Sequence, residues 1–396
     1  MQDPPTSTPP VRGKRVEFID LLRGWAVIVM IETHVFNATL VPEITDSSFF
    51  QVLKFINGLV APSFLFASGM AYAVTTRRKL NDYLSFGMPL FRQVGRLLFV
   101  MLIGYSLHIP KFNYYHLRYE SSPAAWQVFW QADVLQCIAV SLLILQAMLL
   151  LLRSERRLYT WTAGLAVAVL LAAPLMWGID FWMILPAPVA AYMNGLHYSL
   201  FPLFPWSAFL FGGAVAGYAY LRAGDAAKEH PDADPIGRTM RRISIVAVTL
   251  MVVSFVLHPI AAAVYTTYDY WRFSPSFALL RLGIVLLLCG GMFLFERRRS
   301  VSPNSVVTLI GRESLLVYTV HLLLVYGKFG STSFAERVNN TFGYGEAAAV
   351  TIVLFLLMSV LALAWSRIKK GPARLKRTVQ GLVLAGFALV FFFGPN

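Results

Sequence analysis

Four ionisable side chains lie in the first apolar stretch of the chain, Phe18–Asn37. On a helix each residue advances by about 100°, so Arg23 and His34 fall within roughly 20° of each other and Asp20 lies roughly 40–60° from both. Glu32 points to the opposite face. Charged groups inside a bilayer are costly and usually functional. A histidine there can act as a general base, because neutral imidazole accepts a proton near neutral pH. His34 lies about 16 Å beyond Arg23 along the helix axis, about half the thickness of a bilayer core.

The rest of the chain consists largely of apolar segments of membrane-spanning length. Of its 396 residues, 57% are hydrophobic and 14% are charged, whereas about a quarter of the residues of a soluble protein are charged. These properties predict an all-α, polytopic integral membrane protein with about eleven transmembrane helices. The predicted segments are 18–37, 50–74, 90–108, 133–152, 158–178, 201–221, 241–262, 276–295, 305–326, 347–367 and 377–393.

Lysine and arginine cluster in every second connection between these segments. By the positive-inside rule, this alternation predicts a cytoplasmic N-terminus and an extracytoplasmic C-terminus. It also explains the net charge of +14 without a nucleic-acid partner. We expect residues 1–17 to form a disordered cytoplasmic tail and residues 18–396 to form one transmembrane domain, in the plasma (inner) membrane of a bacterium.

With this orientation, the depths of polar residues on different segments can be compared. His321 lies at about the same depth as His34 and shares a helix face with Ser314 and Tyr318, since the three are spaced four and three residues apart. Asp133 and Gln136 enter the fourth segment from the same, outer side. We therefore predict an acceptor site formed by the following residues: His321, Tyr318, Asp133 and Gln136.

Arginines mark the opposite, cytoplasmic ends of the segments. Arg23, Arg92, Arg96 and Arg312 occupy these inner ends, and the planar guanidinium group binds phosphates well. We predict that Arg92, Arg96 and Arg312 bind the phosphates of a cytosolic donor. The two cysteines, Cys137 and Cys289, both lie in predicted segments and suggest neither a disulfide nor a metal site.

A base in the outer half and a phosphate site in the inner half suit a transfer across the bilayer. Acyl-CoA fits as the donor, since its nucleotide would stay inside while the pantetheine arm carries the thioester to His34; no metal is required. Periodicity alone does not choose this over a proton-coupled transporter of a small anion or a lipid-linked glycan. A glycan- or lipid-binding membrane module without catalysis is a third alternative.

Each candidate also has a purely structural explanation. His34 and His321 could be hydrogen-bonded packing residues, Arg92 and Arg96 could extend to the membrane interface, and Asp133 could cap a helix. The aromatic residues of the outer loops could form a carbohydrate platform or the aromatic belt of a membrane interface.

Several stretches resemble a known family. RVEFIDLLRGWAVIVMIETH (15–34) is similar to the first-helix signature of the transmembrane acyltransferases, a group that includes the acyltransferase 3 family, in which an arginine precedes the catalytic histidine by eleven positions. Other stretches resemble the heparan-α-glucosaminide N-acetyltransferase-like branch more closely. They are FINGLVAPSFLFASGMA (55–71), WQADVLQCIAV (130–140), FPWSAFLFGGAVAGY (204–218) and GRESLLVYTVHLLL (311–324).

The resemblance implies a membrane acyltransferase in which His34 is the base, oriented by Arg23 or Asp20. The human-type enzyme of that branch carries asparagine at the position of His34 and its catalytic histidine where this chain has Thr45, so the glucosaminide specificity does not transfer. We predict transfer of an acyl group, acetyl by preference, from cytosolic acyl-CoA to a hydroxyl or amine of an extracytoplasmic glycan. The expected partners are the lipid bilayer, acyl-CoA and the glycan. A homodimer is left open.

Overall fold

The computed structural model describes residues 16–109, 112–120, 122–230, 232–299, 301–302, 305–328 and 332–394. Residues 1–15, and with them most of the predicted tail, lie outside this range. The division into a tail and one domain therefore stays a prediction.

The described residues form eighteen α-helices and no strand; one isolated bridge joins Leu40 to Phe342. Short π and 3₁₀ turns occupy His116–Glu120 and Phe181–Met183. The α-helices are α1 (Glu17–Thr39), α2 (Pro42–Thr45), α3 (Ser48–Asn57), α4 (Val60–Arg78), α5 (Leu80–Leu84), α6 (Met88–Ser106), α7 (Pro123–Trp130), α8 (Val134–Leu152), α9 (Glu155–Trp177), α10 (Ala187–Ala190), α11 (Leu203–Glu229), α12 (Pro235–Val264), α13 (Pro275–Arg298), α14 (Val306–Arg312), α15 (Ser314–Tyr326), α16 (Phe334–Val338), α17 (Tyr344–Lys370) and α18 (Ala373–Phe393).

Helices occupy all eleven segments predicted from the sequence. Among the described residues, seven helical segments are long and apolar enough to cross a membrane, and the bent pair α14–α15 would be an eighth. The chain is thus an all-helical, multi-pass membrane protein. The count of eleven crossings and the orientation of the termini stay predictions.

Segment 305–326, predicted as one transmembrane helix, is broken at Glu313 into α14 and α15, which are bent by 87°. The contacts on either side of the break explain the bend. A Cβ at Gly311 would lie 2.0 Å from the backbone oxygen of Asp20, so α14 is held directly against α1. The buried carboxylate of Glu313 pairs with Lys369 of α17.

α1 lies at the centre of the bundle, in contact with α4, α13, α14, α15 and α17. Small residues allow the closest crossings. A Cβ at Gly24 would lie 2.1 Å from the backbone oxygen of Val307 in α14. Gly69 of α4 and Gly213 of α11 approach the opposite backbone equally closely. Such close packing through small residues is typical of helices in membranes, and here it fixes the elements that carry the polar side chains.

The two ends of the bundle differ in their polar contacts. At the end where α1 begins, ion pairs join neighbouring helices: Arg77 of α4 binds Glu155 at 2.7 Å and also Asp225. At the other end, which we call the His34 end, the 179–200 connection folds back onto the bundle. There Ser199 Oγ accepts a hydrogen bond from the Ala132 amide at 3.0 Å. This connection therefore covers the region where α8 begins.

Candidate active site

His34 lies five residues before the end of α1, against two side chains of α15. Its ring centroid is 5.3 Å from that of His321 and 5.6 Å from that of Tyr326. The Tyr326 hydroxyl also donates to the His34 backbone oxygen at 3.1 Å. The structure thus brings His34 and His321 together, at matched positions on two adjacent helices.

The tautomer of His321 is fixed by its hydrogen bond to the backbone. Nδ1 lies 2.8 Å from the carbonyl oxygen of Val317, one turn earlier in α15. A carbonyl only accepts, so Nδ1 carries the proton and Nε2 is left with a lone pair. That Nε2 is buried and has no hydrogen-bond partner among the described residues. His321 therefore presents an acceptor in the immediate surroundings of His34.

Asp133 is the centre of a second polar group. It is the N-cap of α8, where Oδ1 accepts from the Val134 amide at 2.6 Å. Its other oxygen, Oδ2, accepts from the Tyr318 hydroxyl at 3.2 Å and lies 3.7 Å from Nε2 of His108. Asp133, predicted as an acceptor-site residue with a helix cap as the structural alternative, thus caps α8 and also links α8 to α15 and to the end of α6.

His108 was not predicted as a site residue. Its Nδ1 donates to the carbonyl oxygen of Gly104 at 2.9 Å, so Nε2 is the nitrogen that faces Asp133. Because Nδ1 carries the proton that is donated to Gly104, Nε2 attracts the carboxylate of Asp133 when it carries a second proton. The ring is then an imidazolium.

A cavity of about 670 Å³ is lined by His34, His108, Asp133 and Tyr318, whereas His321 does not line it. This size lies within the range of small-molecule sites, roughly 300–1,000 Å³. Its wall is largely apolar and contains Phe64, Phe201 and Trp206, but it also includes nine polar side chains. The nine are Thr33, His34, Asn37, Asn57, His108, Asp133, Arg281, Tyr318 and Tyr326. A largely apolar cavity with a few convergent polar groups is the usual form of a substrate site.

A comparison with known protein families matches residues 15–246 to the heparan-alpha-glucosaminide N-acetyltransferase catalytic domain. The match covers more than half of the 396 residues. The chain belongs to this family. The resemblance drawn from its motifs is thereby confirmed, and a membrane acetyltransferase is the class of activity that the family supports. No curated protein matches the chain.

The cavity combines residues from inside and outside the acetyltransferase match. His34, His108 and Asp133 lie within residues 15–246, whereas Arg281 and Tyr318 come from α13 and α15 beyond it. The C-terminal helices therefore complete the cavity of the acetyltransferase domain.

Four predicted catalytic and acceptor-site residues do not line the cavity: His321, which packs against His34, and Asp20, Arg23 and Gln136. Arg23 Nη2 donates to the Ala67 carbonyl at 3.4 Å, and Asp20 is buried in the first turn of α1, so neither lines the cavity with His34. Gln136 is fully buried in the contact of α8 with α6, where a Cβ at Gly104 would lie 2.5 Å from its Oε1.

The three arginines predicted for the donor phosphates lie on helices with different neighbours. Arg92 and Arg96 are exposed on α6, which packs against α5 and α8. Arg312 ends α14, which packs against α1 and α17. Its Nη2 is buried and has no hydrogen-bond partner among the described residues.

Proposed function

We propose that this acetyltransferase moves an acetyl group from cytosolic acyl-CoA to a hydroxyl or amine of an extracytoplasmic glycan, with His34 as the general base. The observation that carries the proposal is the position of His34. Its imidazole lies on the wall of the cavity that Asp133, Tyr318 and His108 also line. The family match supports acetyl transfer as the chemistry.

In the proposed reaction, the acceptor oxygen or nitrogen attacks the thioester carbonyl while His34 takes its proton. The resulting tetrahedral intermediate collapses with cleavage of the carbon–sulfur bond. The imidazolium of His34 then returns the proton to the CoA thiolate, so the base is regenerated and charge is balanced. General-base catalysis of this kind contributes about 10²–10⁴-fold.

The other polar groups suit roles in holding the acceptor. Because the Tyr318 hydroxyl donates its proton to Asp133, its oxygen is left to accept a hydrogen bond from a hydroxyl or amine of the acceptor. His321 and Tyr326 pack against His34 and so restrict its ring orientation. Gln136, Asp20 and Arg23 would act only through the packing of α8 and α1.

For the donor we propose that the CoA phosphates bind at the opposite end of the bundle, to Arg312, Arg92 and Arg96. The buried, unpartnered Nη2 of Arg312 supports its participation. Arg92 and Arg96 are exposed, so they would contact the donor on the membrane surface. No metal takes part in this proposal, and we place the enzyme in the plasma membrane of a bacterium.

The proposal is tested with purified full-length protein, labelled acetyl-CoA and a panel of amino sugars and oligosaccharides. We expect CoA release with formation of labelled glycan, and a loss of about 10²-fold or more in His34→Gln. The matched control is His197→Gln, since His197 pairs with Asp180 at 2.9 Å outside the cavity. That variant should retain the wild-type rate.

Two outcomes would contradict the proposal. Substrate flux through proteoliposomes without any CoA release would favour the proton-coupled transporter. Undiminished turnover in His34→Gln would leave an acetyltransferase whose base is another group.

A further inference from the structure

Arg281 is an isolated cation on the wall of the cavity. It lies seven residues into α13, at the His34 end of the bundle. Its guanidinium carbon is 3.9 Å from the ring centroid of Phe277 and 5.6 Å from that of Trp206. A Cβ at Gly58 would lie 3.1 Å from Nη2, so the group also reaches the end of α3. The cation–π contacts with the two aromatic rings restrict the position of the guanidinium group.

The N–H groups of Arg281 have no acceptor within the part of the chain that the structure describes. No hydrogen bond or carboxylate partner joins it there, and its ring contacts are those with Phe277 and Trp206. The carboxylate that lines the same cavity, Asp133, is already bonded to Tyr318 and faces His108. A guanidinium has five N–H donors, and leaving such a charge unpaired in an apolar membrane domain is costly. Arginines inside a membrane domain usually pair with another group or mark the path of a substrate or an ion.

We infer that Arg281 binds an oxyanion carried by the acceptor, so that the acceptor glycan is acidic, with a carboxylate or a phosphate ester. This inference rests on the proposed function for its role and names the substrate class for that same cavity. Arg281 and His34 line one cavity, so an anion on Arg281 would hold the sugar beside the base. The planar guanidinium matches carboxylate and phosphate oxygens in a bidentate geometry.

The CoA phosphates are a less suitable partner for Arg281. The donor arginines proposed above lie on other elements, and Arg312 belongs to α14 at the end where α1 begins. Arg281 instead shares the His34 end with Asp133 and Tyr318. We therefore assign the oxyanion to the acceptor, and the experiment separates the two sources.

The test measures binding to the full-length protein in detergent by calorimetry, without acyl transfer. The probes are methyl glucuronide and glucose 6-phosphate, each compared with the neutral methyl glucoside, and CoA compared with pantetheine. We expect at least one acidic sugar to bind the wild type about tenfold or more tightly than methyl glucoside. The preference should disappear in Arg281→Gln. It should be partly kept in Arg281→Lys, which retains the positive charge but cannot form the bidentate hydrogen bonds of a guanidinium.

The matched control is Arg272→Gln. Arg272 also stacks on a tryptophan, 4.9 Å from the Trp177 ring, but it donates to the Gly195 carbonyl and does not line the cavity. It should keep the wild-type preference. Thermal unfolding of each variant verifies that it is folded, and the wild-type comparison stands whether or not Arg281→Gln folds.

Three results would overturn the inference. The wild type could show no preference for either acidic sugar, or Arg281→Gln could keep the preference. Alternatively, Arg281→Gln could lose the preference for CoA over pantetheine while keeping that for acidic sugars, which would assign Arg281 to the donor. Because binding is measured without acetyl-CoA turnover, a preference dependent on Arg281 in a protein that transfers no acetyl group would refute the proposed function alone.

Discussion

His34 of α1 and His321 of α15 face each other with ring centroids 5.3 Å apart and an angle of 46° between the rings. His321 engages its Nδ1 proton with Val317, so its Nε2 can only accept. That Nε2 has no hydrogen-bond partner among the described residues. We predict that a neutral His34 donates to it in the reacting complex, which would leave the second nitrogen of His34 free to accept a proton from substrate. The pair therefore suits a base whose tautomer is set by its neighbour.

We predict that His321→Phe, which keeps a ring but removes the acceptor, lowers kcat about tenfold while KM changes little, because the tautomer of His34 is no longer favoured. His321→Gln offers an amide oxygen as acceptor and should recover part of the rate. Steady-state kinetics of both variants with one acceptor distinguish this from simple packing. Equal losses in both would show that the ring of His321 matters only for its shape.

Tyr318 lines the cavity, and Tyr318→Phe removes its hydroxyl together with the 3.2 Å hydrogen bond to Asp133. We expect KM for the acceptor to rise roughly two- to twelvefold, since one hydrogen bond between neutral groups is worth about 0.5–1.5 kcal/mol. Tyr344→Phe is the control, because its hydroxyl is 3.1 Å from Ser47 Oγ outside the cavity. An unchanged KM in Tyr318→Phe would exclude Tyr318 from the acceptor site.

Gly24→Ala should displace α14 from α1. The added Cβ would lie 2.1 Å from the Val307 backbone oxygen, and overpacking of this kind costs about 1–3 kcal/mol. We expect a lower thermal unfolding temperature and reduced activity, because α15 follows α14 and carries His321. Gly164→Ala in α9 meets no atom within 4 Å and should leave both unchanged. Similar behaviour of the two variants would refute the close crossing.

Lys369→Met tests the bend between α14 and α15. The variant leaves the carboxylate of Glu313 buried without its partner, at a cost of about 1–3 kcal/mol because the lysine is partly exposed. Lys369→Met combined with Glu313→Gln removes both charges and should recover most of the unfolding temperature. If the double variant is no more stable than Lys369→Met, the ion pair does not hold the bend.

The helices and the meeting of His34 with His321 could be predicted from the sequence. Apolar runs and alternating basic clusters define where the segments lie, and the equal depth of the two histidines followed from that orientation. The break at Glu313 could not be predicted in this way. It depends on Gly311 approaching Asp20 and on Lys369 reaching Glu313, which are contacts between distant parts of the chain.

The composition of the site was only partly predictable. Arg23 shares a helix face with His34, but the two residues lie about 16 Å apart along the helix axis. Two residues on one helix face therefore need not belong to one site. Two residues of the cavity that were not predicted could have been recognised from their positions in the sequence. His108 ends the segment before the one that Asp133 begins, and Arg281 is the only charged residue within segment 276–295. A lone intramembrane arginine indicates a functional site.

The most direct test of the role of His34 is the rate of glycan acetylation by His34→Ala, with and without added imidazole. We predict a rate lower by about 10²–10⁴-fold, because the general base is missing. Imidazole entering the vacated part of the cavity should restore some of that rate, and it should not raise the rate of Tyr318→Phe. A His34→Ala enzyme that acetylates its acceptor at the wild-type rate would contradict the assignment of His34 as the base.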